Sequence, residues 1–310
     1  MVFLGIAILA ALAACLVIRF FQVPRLGRWG IRGPVGLLII VISEWLLFRH
    51  NAFVALYFTP LVWTGYILLV DAAVFRIAGR SRLRDSIGQF VWLAFWSVPL
   101  WLIFEAYNLH LKNWVYLNLP EDVLLRYIGY GWAFATIWPA LFETTDLIEA
   151  LKIFGTSASS SSKEPSQRLL WTSLAVGFAM LLIPVVVSQP LAGYLFGSVW
   201  LGMIFALDPL NCWWGRRSLW REWISGQRES VYRMLLAGLL CGVLWEFWNY
   251  WAVVRWIYVF PLMQYAKIFQ MPLPGYVGFP PFCVEAFVMF EIVNFWGPRA
   301  TRPTGKPSAL

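Results

Sequence analysis

Glu105 and Asn108 are three residues apart, as are Glu246 and Asn249, and both pairs lie inside long apolar stretches. Positions i and i+3 share a helix face, so each pair presents a carboxyl beside a carboxamide. Glu143 and Glu285 occupy two further apolar stretches, each four residues after a proline, Pro139 and Pro281, that leaves a backbone carbonyl unpaired one turn earlier. Apart from Arg233 near the start of the stretch that holds Glu246, no Lys or Arg stands within these stretches. An ionisable group in hydrocarbon costs about 2.5–3.5 kcal/mol or more, so such groups ordinarily face a partner, a cavity or a substrate path. A protonated carboxyl can donate a proton to an alkene and a second carboxylate can remove one. Glu246 and Glu105 are therefore candidates for acid and base, Asn108 and Asn249 for the groups that orient them, and Glu143 and Glu285 for alternatives. Structural hydrogen bonding between helices is the competing explanation for all six.

Rings accompany the acids. Trp114, Tyr116, Trp245, Trp248, Trp256 and Tyr258 flank the two Glu–Asn pairs, and aromatic faces both wall an apolar cavity and stabilise cations. Trp and Tyr at headgroup level also form ordinary interfacial belts. The remaining polar residues carry less. Glu44 and Glu291 lie near stretch ends and are expected to be structural, while Asp71 and Asp208, ahead of Arg80 and Arg216, are expected to form boundary ion pairs. His50 and His110 are isolated and lack metal-ligand spacing, so no metal site is expected. The four cysteines lie in or beside apolar runs without a C-x-x-C spacing and are expected to be free, buried thiols. A P-loop, a G-x-G-x-x-G turn, a G-x-S-x-G elbow and a D-D-x-x-D motif are all missing, so no cofactor is expected.

The elements that must position these groups are membrane helices. Of 310 residues, 60% are hydrophobic, 18% aromatic and only 13% charged, with 20 Trp and 24 Phe. Soluble domains are about a quarter charged, so a soluble globule is excluded. Apolar stretches of spanning length recur at 1–20, 34–49, 52–75, 88–106, 127–151, 169–187, 190–212, 231–250 and 276–297, predicting an all-α polytopic protein of about nine transmembrane helices. Alternate intervals hold 19 of the 24 Lys and Arg. The positive-inside rule then puts the N-terminus outside and the C-terminus in the cytoplasm of a bacterial-type membrane. The net charge of +8 is thus topogenic, and no nucleic-acid partner is expected. The first stretch lacks a basic n-region and is expected to be a retained anchor, not a cleaved signal.

The halves resemble each other at an offset of 136 to 142 residues. Trp63, Gly65 and Asp71 recur as Trp200, Gly202 and Asp208; Phe104-Glu105-x-x-Asn108 recurs as Trp245-Glu246-x-x-Asn249; Trp114-x-Tyr116 recurs as Trp256-x-Tyr258; and Pro139-x-x-x-Glu143 recurs as Pro281-x-x-x-Glu285. The predicted organisation is an anchor helix and basic loop over 1–33, a four-helix repeat over 34–154, a Ser-rich linker over 155–168, a second four-helix repeat over 169–297 and a tail over 298–310. An even number of spans per unit makes the repeats parallel and puts a pseudo-symmetric site at their interface. Five prolines between 261 and 281 predict a re-entrant or interfacial segment before the last span.

Around these residues the chain resembles the small carotenoid cyclases with lycopene-cyclase domains. The basic segment Arg216–Arg233 leads into Leu244-Trp245-Glu246, then Arg255-Trp256-Ile257-Tyr258, then Met271-Pro272-Leu273-Pro274. Glu stands in place of the family's Asp after Trp245, and Pro274-Gly275 stands where the family has paired glutamates. The resemblance implies an integral-membrane isomerase acting on an isoprenoid or carotenoid-like lipid without a redox cofactor. A non-catalytic lipid- or solute-binding protein, a transporter and a scaffold subunit remain alternatives.

Overall fold

The computed structural model describes residues 1–155 and 163–297; half of the expected linker at 155–168 and the whole tail at 298–310 lie outside the described residues. The chain runs α1 (Val2–Gln22), α2 (Arg32–Phe48), α3 (Ala52–Ala78), α4 (Arg82–Asp85), α5 (Ile87–Leu111), β1 (Trp114–Leu117), α6 (Val123–Ala135) and α7 (Ile137–Ala150). It continues with α8 (Gln167–Val186), α9 (Gln189–Ala192), α10 (Phe196–Trp213), α11 (Leu219–Ile224), α12 (Glu229–Trp251), β2 (Arg255–Tyr258), β3 (Lys267–Ile268), β4 (Met271–Pro272) and α13 (Phe279–Val293).

Among the described residues, seven helices are long and apolar enough to cross a bilayer, against the nine expected. The two that fall short do so for visible reasons. α2 has 17 residues. The stretch 127–151 is broken at Thr136, whose hydroxyl donates back to Ala133 O at 2.7 Å. Pro139 then falls in the first turn of α7, where its missing N–H leaves no bond unmade, so a new helix starts there more readily than the old one continues. Pro280 and Pro281 open α13 in the same way. The proline-rich segment before α13 is a two-residue β3–β4 ladder followed by a 3-10 turn at Leu273–Gly278.

Close helix pairs are made by glycine. A Cβ at Gly36 of α2 would meet Gly65 O of α3 at 2.5 Å, and one at Gly177 of α8 would meet Ala206 N of α10 at 2.2 Å. Small residues that let backbones touch are how helices associate where lipid removes the hydrophobic drive. α7 and α13 form the buried centre: Trp138, fully buried, donates its Nε1–H to Ala286 O at 2.8 Å. Large apolar side chains such as Phe3, Phe21, Phe95 and Val186 point outward, as a lipid-facing surface requires.

The acids at the arginine-rich end are caps. Asp208 accepts from Ser218 Oγ (2.9 Å), Leu219 N (2.8 Å) and Trp220 N (2.8 Å), which fixes the start of α11. Asp71 accepts from Leu83 N at 2.9 Å in α4 and pairs with Arg32 at 2.8 Å. The expected pairing with Arg80 and Arg216 is therefore corrected: Arg216 instead donates to the Glu291 and Ile292 carbonyls that end α13. Three of the cysteines are buried, but Cys15 is exposed on the outer face of α1.

Candidate functional site

The centre of the site is a two-stranded sheet that joins the halves. β1 and β2 run antiparallel with Trp114 opposite Tyr258, Val115 opposite Ile257 and Tyr116 opposite Trp256. Val259 N donates to Asn113 O at 2.8 Å, so 113/259 and 115/257 are the hydrogen-bonded pairs. Trp114 and Trp256 consequently turn their backbone groups to the outer edges. Asn108 and Asn249 meet them there. Asn108 donates to Trp114 O (2.9 Å) and accepts from Asn113 N (2.7 Å) and Trp114 N (3.1 Å); Asn249 donates to Trp256 O (2.9 Å) and accepts from Trp256 N (3.0 Å). The two carboxamides thus hold strands instead of orienting the carboxyls one turn away.

Each carboxyl is engaged by the rings that its strand presents. Glu105 Oε1 accepts from Trp101 Nε1 (2.9 Å), Trp114 Nε1 (3.3 Å) and the Tyr116 hydroxyl. Glu246 Oε1 accepts from the Tyr258 hydroxyl (2.8 Å), which itself accepts from Trp256 Nε1 (2.8 Å). Glu246 Oε2 is buried and makes no side-chain hydrogen bond among the described residues. Neither acid has a cationic partner among the described residues. Burial, reinforced by the adjoining carboxylate, pushes both the Tyr116 and Tyr258 phenols well above their ordinary range, so each keeps the proton it donates.

These rings wall a cavity between the halves. Trp101, Trp114, Trp245 and Trp256 line it from one side and Trp63, Trp200 and Phe282 from the others, with Tyr116 and Tyr258 at the sheet. Neighbouring rings touch in series, Trp114–Trp101 at 6.1 Å, Trp101–Trp245 at 5.7 Å and Trp245–Trp256 at 5.7 Å, so the two Glu-bearing helices meet through indole faces. The carboxyls of Glu105 and Glu246 stand behind this wall, not in it. Five of the six expected aromatic residues line the cavity. Trp248 does not; it donates to Glu44 at 3.1 Å and packs edge-on against Trp63 at 5.1 Å.

Glu143 and Glu285 lie apart from the cavity. Both are fully buried; among the described residues neither Glu143 oxygen has a hydrogen-bond partner, and Glu285 accepts from Met203 N at 3.3 Å. They sit at the floor formed by α7 and α13, where Leu141 and Phe282 face the aromatic cavity while Phe142 and Cys283 face a second, polar one. Arg82, Asp146, Glu149, Arg217, Arg233 and Glu291 line that polar cavity. Asp146, which extends the Glu143 face, is taken by Arg82 at 2.6 and 3.0 Å.

Sequence reasoning missed Trp63, Trp101, Trp200 and Phe282 as lining residues, although Trp63 and Trp200 already stood out as corresponding tryptophans of the two halves. It counted Arg126 and Arg255 among the five basic residues of the outer loops and gave Arg255 only the part of a possible counter-charge to the carboxyls, whereas both line the aromatic cavity. Fold and cavity together define a polytopic helical membrane protein with an internal aromatic chamber. No protein-family model, curated protein or solved structure matches the chain.

Proposed function

We propose that the protein takes the apolar chain of an isoprenoid or carotenoid-like lipid into the aromatic cavity and acts on it by non-redox acid–base chemistry, as a cyclase or isomerase. The observation that carries the proposal is the pair of carboxyl–phenol contacts, Glu105–Tyr116 and Glu246–Tyr258, set against a chamber walled by indoles with no cationic counter-charge on either acid. Glu246 takes the part of the proton source: Tyr258 gives its hydroxyl proton to the alkene and regains one from the carboxylic acid form of Glu246 as their hydrogen bond reverses; Glu105, with three side-chain donors, takes the part of the acceptor. Indole faces stabilise the cation formed between the two steps.

The halves are read as parallel repeats about a two-fold axis through Val115 and Ile257. Support comes from the strand register, the matching Asn–Trp clamps and the matching Tyr–Glu bonds. The resemblance to lycopene-cyclase domains supports the substrate class, and the count of nine spans is kept with α2 and the α6–α7 pair as the two short ones. On this reading the strand end of the bundle faces outside.

A second reading, non-catalytic lipid binding, is favoured by the position of both carboxyls behind the cavity wall. Mass spectrometry of lipids retained by the purified wild type and by Glu105→Gln/Glu246→Gln, together with turnover of any polyene so identified, separates the two. Retention in both with turnover lost only in the variant supports catalysis; retention in both without turnover in either supports binding. Phospholipid alone in both refutes the site.

A further inference from the structure

Two arginines stand at the strand-end mouth of an otherwise apolar chamber. Arg126 projects from the first turn of α6 and Arg255 opens β2, opposite Leu117, and both contribute to the cavity lining. The loops that carry them are tied together, since Asn118 Nδ2 donates to Val253 O at 2.9 Å. Arg126 spends its Nε and one Nη on Pro120 O, at 3.0 and 2.7 Å. Among the described residues Arg255 has one long hydrogen bond, Nη1 to Tyr250 O at 3.4 Å, and its Nε is buried with no acceptor.

The contrast with the other cavity is what gives these arginines meaning. Arginines lining the polar cavity are matched by acids: Arg82 with Asp146 at 2.6 Å, Arg233 with Glu149 at 3.5 Å, and Arg217 with Glu222. At the aromatic cavity neither Arg126 nor Arg255 forms an ion pair among the described residues. The nearest acids in sequence do not serve them: Asp122 caps α6 through Leu125 N at 2.9 Å, and Glu121 is exposed. A guanidinium with an unfilled, buried N–H is costly unless an anion completes it, and its planar fork suits a carboxylate or phosphate.

From this we infer that the ligand of the aromatic cavity is an anionic amphiphile whose oxyanion headgroup is held by Arg126 and Arg255 at the mouth while its apolar chain lies among the tryptophans. The inference rests on the proposed lipid site and adds the headgroup chemistry, which a pure hydrocarbon lacks. The head sits at the strand end, away from the polar cavity.

Equilibrium dialysis of the full chain in non-ionic detergent tests it, with farnesyl phosphate, farnesol, squalene and inorganic phosphate as probes. Wild type is expected to bind farnesyl phosphate about tenfold or more tighter than farnesol, the scale of one charge-assisted contact. Arg126→Gln/Arg255→Gln is expected to erase that preference by weakening farnesyl phosphate far more than farnesol, and the farnesol binding that persists shows that the variant is folded. Arg126→Lys/Arg255→Lys is expected to restore part of it, and Arg49→Gln, an exposed charge elsewhere, to change nothing. Equal binding of phosphate ester and alcohol, or a preference that survives the double Gln variant, overturns the inference and leaves the lipid site standing. Inorganic phosphate binding as tightly as farnesyl phosphate overturns it in favour of a free anion. Failure of all three isoprenoids to bind overturns both.

Discussion

Asn249→Ala is the sharpest single test of how the site is built. The carboxamide is the partner of both Trp256 backbone groups, which face away from β1 by register. Truncation strands an N–H and a C=O, each worth about 1–3 kcal/mol when buried. Trp256 is half-buried, so the lower part of that range applies and the total loss is about 2–4 kcal/mol. The loss falls on β2, which carries Trp256 and Tyr258 to the cavity and Tyr258 to Glu246. Thermal unfolding in detergent, followed by size exclusion, and the amount of lipid retained are the two readouts. Both are expected to fall. Asn249→Asp keeps an acceptor for Trp256 N but sets a carboxyl oxygen against Trp256 O in a fully buried position, so it is expected to destabilise at neutral pH and to recover as the pH falls and the carboxyl becomes a donor. Asn108→Ala acts on the paired strand, so the double variant is expected to lose less than the sum of the singles, because β2 is already loosened when β1 goes. Wild-type stability and lipid content in Asn249→Ala would refute the clamp, and strict additivity would refute the coupling through the sheet.

Three further outcomes are expected. Asp208→Ala removes three bonds at the start of α11 and is expected to cost about 1–2 kcal/mol, with faster proteolysis around residues 216–224 and unchanged lipid retention, since the cap is remote from the cavity. Gly177→Ala drives a Cβ to 2.2 Å from Ala206 N and is expected to cost about 1–3 kcal/mol by parting α8 from α10, while Gly197→Ala, with open space at its Cβ, is expected to be tolerated in the same unfolding assay. Raised phenol pKa values at Tyr116 and Tyr258 mean that the unfolded chain releases these protons first as pH rises; their contribution is whole below about pH 10 and is lost as pH climbs through the folded values. Ultraviolet titration of the 12 tyrosines is expected to show a late-ionising group that shrinks in Tyr116→Phe/Tyr258→Phe.

The helices were legible because the bilayer dictates their length and the apolar stretches record it. The break at Thr136 was not, although Pro139 marked it, because hydropathy averages over a proline that changes no apolarity. Glu105 and Glu246 could be picked out as isolated acids in apolar sequence, yet their partners lie 11 and 12 residues onward in Tyr116 and Tyr258, across a turn that returns each strand to its own helix end. Helical spacing instead pointed to Asn108 and Asn249, the residues that make that turn possible. Arg126 and Arg255 were hidden by the opposite problem: a charged loop residue is ordinary at a membrane surface, and only the fold shows that these two line the cavity without an ion pair among the described residues.

Under the proposed function, setting carboxyls behind rings would join binding and chemistry in one hydrogen-bond network. Trp101, Trp114 and Tyr116 are fixed by Glu105, and Tyr258 by Glu246, so the chamber wall is rigid before any chain enters and little ordering entropy is lost on binding. The same network limits proton transfer. Tyr258 donates to Glu246 and accepts from Trp256 Nε1, so a proton reaches the chamber only if one of these bonds opens. A carboxyl placed in the lining would need no such opening, but it would put an unsatisfied polar group against hydrocarbon whenever the substrate was bound. Glutamine at 246 retains an acceptor for the phenol and so holds the wall in place, but it has no proton to give. For that reason, the Gln variant separates a chamber that only holds a lipid from one that transforms it.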